Sequence, residues 1–134
     1  MTEEIHTKKQ ITFRGKSKED LLKLDVREFA KLLKSKARRS VLRRFQFIEN
    51  FVGRAKNKLA KNKQIRTHSR GLIIVPELVG MKIHVHSGNK FTPVEIAMEM
   101  LGHRLGEFAP TRNKVSHGKA GVGSTKGSKA QSKH

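Results

Sequence analysis

The chain reads as α+β. A small two-layer domain, a three-stranded sheet with helices packed on it, follows a basic N-terminal helical extension and precedes a disordered C-terminal tail. Three observations predict this. In FIENFVGRAKNKLAKNK, residues Ile48, Phe51, Val52, Ala55 and Leu59 fall on one helical face. MKIHVHS alternates apolar and polar residues before Gly88-Asn89, the signature of a hairpin. Residues 115–134 are rich in Gly, Ser and Lys, contain no acid and hold too little apolar surface to fold alone. The expected organisation is an extension over 1–44, a core over 45–114 and a tail over 115–134.

The elements follow in order. Residues 1–16 show no sustained period and are expected to be an extended arm. SKEDLLKL opens with Ser17 and Asp20, a capping-box pair, and begins a short helix. DVREFAKLLKS repeats the device with Asp25 and Glu28, and Val26, Phe29, Leu32 and Leu33 then form one apolar stripe. KARRSVLRRF continues the stripe with a basic face made of Lys36, Arg38, Arg39, Arg43 and Arg44.

LIIVP, residues 72–76, reads as a short buried strand. Folding the chain back at Gly88-Asn89 sets Val85 opposite Thr92, Ile83 opposite Val94 and Met81 opposite Ile96. Lys82 then faces Glu95, a favourable cross-strand pair. Pro93 falls opposite His84 in a non-hydrogen-bonded pair, so its strand must be an edge. The 72–76 strand is therefore expected on the other side of 81–87. EIAMEMLGHRLGEF predicts a short helix ending near Gly102.

Charge bounds the function. Thirty Lys and Arg against eleven Asp and Glu give a net charge of +19 over 134 residues, which implies a polyanionic partner. Residues 36–66 carry +10 and 111–134 carry +6, while 67–110 are neutral. The basic helices lack the broad Trp-anchored apolar face of an interfacial helix, which argues against a membrane. No apolar window is long enough to span a bilayer, and no signal peptide is evident, so a cytoplasmic protein is expected.

Chemistry is poorly supported. The absence of cysteine excludes disulfides and thiol nucleophiles. His84 and His86 share a strand face, but no committed third ligand accompanies them, so no metal or other cofactor is expected. His103 and Glu107 are four apart, yet Gly102 and Gly106 are expected to break the turn that would join them. GVGSTKG, 121–127, looks superficially like a Walker A loop but lacks the GK[ST] ending and a preceding strand. We therefore expect no enzyme.

Nucleic-acid contact is the better reading. With seven Phe and neither Tyr nor Trp, stacking of splayed bases on a sheet has little support, and recognition is expected to be of backbone and shape. In extended IRTHSR, the side chains of Arg66, His68 and Arg70 project to one side at about 7 Å intervals, close to the phosphate spacing of one strand. RNA contact is assigned to these three and to Arg38, Arg39, Arg43 and Arg44. Lys82, His84 and His86 on the sheet, Asn89 and Lys90 at the turn, and His103, Arg104, Arg112, Asn113 and Lys114 complete the set. A free-standing RNA chaperone or nucleoid protein would carry the same charge.

Specific strings narrow this further. Arg66, Thr67, Ser69 and Arg70 form R-T-x-S-R; Pro76 and Gly80 give P-x-x-x-G; His86 and Gly88 give H-x-G; and GHRLGEFAPTR runs from Gly102 to Arg112. Together, over roughly residues 45–117, they resemble the universal small-subunit ribosomal protein nineteen family. The long basic N-terminal portion looks like the archaeal and eukaryotic branch. The resemblance implies an α+β domain bound to rRNA in the head of the small subunit. It also implies a partnership with small-subunit ribosomal protein thirteen, contact with the large subunit, and a tail directed to the aminoacyl-tRNA site. On this reading the glycines of 102–112 let backbone approach RNA closely.

Overall fold

The first two helices begin where the sequence supplies a cap. The computed structural model describes residues 11–114. Ser17 is extended and precedes α1, Lys18–Leu22; its hydroxyl donates to Asp20 Oδ2 at 2.8 Å and accepts from the Asp20 N–H at 3.3 Å. The bond from the Ser17 hydroxyl, helped by the Ser17 backbone N–H, holds the Asp20 carboxyl below its ordinary range. The Asp25 N–H donates to Glu28 Oε2 at 3.3 Å at the start of α2, Val26–Lys31.

The stripe expected to run on through residue 44 is interrupted. Lys34 is extended (ψ 156°), so α3, Ser35–Arg43, is a separate helix. Arg38 fills the gap, donating to the carbonyls of Leu33 at 3.1 Å and Lys31 at 3.4 Å, acceptors that the end of α2 leaves unpaired. The fourth helix, α4, Phe45–Ala60, buries Ile48, Phe51, Val52 and Ala55. Leu59, expected on the same stripe, is 52% exposed, so the buried face ends one turn short.

The hairpin register is the one the alternation predicts. Strand β2, Lys82–His86, pairs antiparallel with β3, Phe91–Glu95, setting Lys82 on Glu95, Ile83 on Val94, His84 on Pro93 and Val85 on Thr92. The Ser87 N–H donates to Lys90 O at 2.8 Å and the Ile96 N–H to Met81 O at 3.0 Å. By alternation His84–Pro93 is then a non-hydrogen-bonded pair, and the missing N–H of Pro93 faces away from β2. β3 is an edge of the sheet, whose order is β1-β2-β3.

The third strand is not the expected one. Beside β2 lies β1, Ile65–Thr67, in parallel, with Ile65 on Ile83 and Thr67 on Val85. Residues 72–76 instead run against 102–106. Ile74 N–H donates to His103 O (2.9 Å), Leu105 N–H to Leu72 O (3.0 Å) and Gly106 N–H to Arg70 O (2.8 Å). An apolar run shows that a segment is buried but not what it pairs with. Its partner here, GHRLG, has no strand periodicity to announce it. The helix expected before Gly102 is one 3₁₀ turn, Met98–Met100.

One apolar cluster holds these pieces together. Leu21, Phe29 and Val41 from the first three helices share it with Ile48, Ile74, Ile83 and Leu105, each no more than 2% exposed. Full burial of such a side chain is worth about 1.5–3 kcal/mol. The core is thus continuous across residue 44, where the sequence suggested a boundary. The described part of the expected extended arm also turns back on itself. Phe13 and Lys16 exchange two backbone bonds of 3.0 Å, and the Phe13 ring packs 5.7 Å from Phe29. Residues 1–10 and the tail predicted for 115–134 lie outside the described residues.

Candidate nucleic-acid interface

Strand alternation sorts the sheet into two faces. Ile65, Ile83, Val85 and Val94 are buried toward the helices. The opposite face carries Arg66, His84 and Pro93 in one row, and Lys82 beside Glu95 in another. Continuing the registers of β1 and β2, His68, His86 and Phe91 make a third row. The three rings meet: His68 and His86 centroids are 4.4 Å apart, and Phe91 lies 5.2 Å and 5.1 Å from them, near perpendicular to both. The Arg66 guanidinium lies 5.4 Å from the Phe91 ring centre. Sequence reasoning missed Phe91 because a single phenylalanine after a turn carries no period. Its place opposite His86 follows from the register.

Arg70 departs from its neighbours. Arg66 and His68 share the outer face as predicted, but Arg70 turns inward. Its Nη1 donates to His86 O at 2.6 Å, and its Nη2 to Gly106 O at 2.8 Å and to Ala109 O. Three carbonyls from two distant segments satisfy one planar fork, a geometry that suits arginine and not lysine. Arg70 is a structural clamp, so the expectation that it faces outward with Arg66 and His68 is corrected.

The glycines of 102–112 have an intramolecular reason as well. A Cβ on Gly106 would sit 3.0 Å from both Cβ and O of Arg70, and one on Gly102, at φ +78°, would meet Leu33 Cδ2 at 2.8 Å. The close approach they permit in this fold is to the chain's own Arg70 and Leu33. Across Gly106, His103 Nδ1 and Glu107 Oε2 lie 2.8 Å apart, overturning the expectation that the glycines separate this pair. The 3₁₀ turn Leu105–Phe108 makes the contact, and Glu107 Oε1 also accepts from the Arg104 N–H at 3.4 Å.

The remaining predicted residues fall into four groups. Arg43, Arg44 and Arg104 line one groove with Phe47, between the last two helices and residues 71–73. Arg104 Nη2 lies within 3.4 Å of Ser40 Oγ. Asn89, Lys90 and Asn113 line a second hollow, where the hairpin tip meets residues 110–113. Arg39, Arg112 and Lys114 are exposed, and Arg38 is occupied at the end of α2. A further groove, between α4 and β1, is lined by Arg54, Lys58, Arg66 and His68. Arg54 and Lys58 were not assigned from sequence, although their four-residue spacing on a helix puts them on one side.

Little of this charge is neutralised internally. Among the described residues, lysine and arginine enter only two ion pairs, Lys56 with Glu77 and Lys82 with Glu95 at 3.9 Å. The latter is the predicted cross-strand pair, but both side chains are more than half exposed and it contributes little. No group of three or more His, Asp or Glu among the described residues is placed to hold a metal ion, and no helix is long and apolar enough to cross a membrane.

The chain matches the family model described as Ribosomal protein S19 over residues 36–117. The chain belongs to this family. It is 44% identical over 122 residues to the "Small ribosomal subunit protein uS19" of Methanococcoides burtonii, covering 91% of this chain and 88% of that one. It is 43% identical over 126 residues to the protein of the same name from Methanocella arvoryzae, covering 91% and 86%. These archaeal relatives agree with the archaeal-type branch suggested by the N-terminal helices. The family match begins within α3 and crosses residue 44, as the apolar core does.

Proposed function

We propose that this member of a structural, non-enzymatic ribosomal protein family binds small-subunit rRNA through the outer sheet face and the adjoining cationic grooves. One observation carries the reading. A segment with a net charge of +10 over residues 36–66 folds so that its only ion pair among the described residues is Lys56 with Glu77. Unpaired like charge at this density disfavours the compact chain unless an external polyanion neutralises it. Backbone phosphates do so, releasing counterions. Non-specific contacts of this kind suit a protein that recognises shape and backbone.

The finer placement extends the same proposal. It comprises a seat in the subunit head, small-subunit ribosomal protein thirteen as neighbour, contact with the large subunit, and residues 115–134 near the aminoacyl-tRNA site. The name of the archaeal relatives and the strings from Arg66 to Arg112 support it. Sedimentation tests it against a free-standing RNA chaperone. The chain is expected to remain with small subunits, one copy each, through a high-salt wash. Sub-stoichiometric recovery, disappearing on washing, would favour the chaperone. Subunits whose copy lacks 115–134 are expected to assemble and to show altered tRNA affinity or miscoding. Unchanged values for both would remove the tail from the decoding region.

A further inference from the structure

The outer sheet face holds something that recognition of backbone and shape does not need. Three rings, His68, His86 and Phe91, stand within 4.4–5.2 Å of one another on the side of the sheet turned away from the core. His68 is exposed, and the other two are half-buried. Arg66 reaches the same patch, and His84 occupies the next row. Aromatic and imidazole rings give an unstacked base a π-surface, and an adjacent guanidinium can meet its phosphate.

We infer that His68, His86 and Phe91 form a stacking platform for one unpaired RNA base, with Arg66 on the flanking phosphate. The inference rests on the rRNA-binding reading and deepens it: the RNA at this face is single-stranded or bulged, because a base inside a duplex keeps its own stacking partners. Charge selects RNA over an apolar protein surface. Among the described residues, the face carries Arg66 and Lys82 against a single carboxylate, Glu95, and its only large apolar ring is Phe91. The weak support for base stacking found in the composition is revised accordingly. Few aromatics suffice when the fold collects two histidines and a phenylalanine in one row.

The test uses the full chain and two labelled ten-nucleotide probes at one salt concentration, oligoadenylate and an abasic ribose-phosphate strand of equal length. Anisotropy is expected to show oligoadenylate binding more tightly by roughly 5- to 150-fold, the range for stacking of one base. Phe91→Ala should remove that difference, while Phe91→Trp should keep it. In the wild type, the imidazole proton resonances of His68 and His86 should move upfield with oligoadenylate and not with the abasic strand. This ring-current readout needs no variant to fold. Equal affinity for the two strands, a difference that survives Phe91→Ala, or absent upfield shifts would each overturn the platform. So would tighter binding of a polyglutamate peptide than of either strand, which would point to an acidic protein at this face. Retained sedimentation with small subunits alongside equal strand affinities would sink the platform alone. Loss of that sedimentation is the separate failure of rRNA binding.

Discussion

Arg66 and Arg70 lie four residues apart, the first in β1 and the second in the turn that follows it, and the fold uses them in opposite ways. Arg66 stays on the outer face, where its nearest partners are the exposed Gln64 side chain and the Phe91 ring. Arg70 is half-buried and ties the ends of β2 and the 106–109 turn together. The difference extends to the faces they serve: an inner face that holds the chain together and an outer face free to meet a partner. Charge therefore does not identify a contact residue. What matters is whether the chain's own carbonyls already satisfy the donor.

The largest expected effect tests the division of faces. Ile83 is fully buried, so Ile83→Asp places an unpaired charge in the core and should cost roughly 4–5 kcal/mol or more. His84→Ala, one residue away on the outer face, should change stability by less than about 0.5 kcal/mol. Denaturant melts of both variants check this, and comparable losses would show the faces to be wrongly assigned.

Arg70→Ala comes next. It strands the carbonyls of His86, Gly106 and Ala109, and a loss of about 3 kcal/mol is expected from charge-assisted bonds of this kind. Arg70→Lys should recover less than half of it, because an ammonium cannot span the fork. Full rescue by lysine in thermal melts would mean that charge alone, and not the clamp geometry, is at work.

Gly106→Ala probes the same joint from the other side. The added methyl would press on the Arg70 backbone at 3.0 Å, and a cost of about 1–3 kcal/mol is expected. If stability is unchanged, the joint is looser than the clamp requires.

Much of the inner architecture was legible because it follows short-range rules. Ser17 and Asp25 cap helices, and alternation with Gly88-Asn89 sets a register that the fold reproduces pair for pair from Lys82–Glu95 to Val85–Thr92. What was not legible depends on long-range pairing. LIIVP is as buried as expected, yet its backbone bonds to distant residues, 102–105, that show no strand pattern. Arg70 looked like Arg66 because sequence reports a guanidinium and not the carbonyls it will meet. His68, His86 and Phe91 were individually visible, but only the parallel pairing of β1 with β2 brings the three into one row. Where the glycines of 102–112 lie against Leu33 and Arg70, the motif's spacing was visible and its physical reason was not.

The smallest change in stability accompanies the most direct test of the central claim, that the outer face carries the rRNA contact and the inner clamp does not. The measurement is the salt dependence of binding between the full chain and small-subunit rRNA, taken well below the melting temperature of each variant. Arg66→Ala should leave the fold intact and lower the slope of log affinity against log salt by about one unit, the share of a single phosphate. Arg70→Ala, though far less stable, should keep the wild-type slope. An unchanged slope in Arg66→Ala, or an equal fall in both variants, would contradict the account.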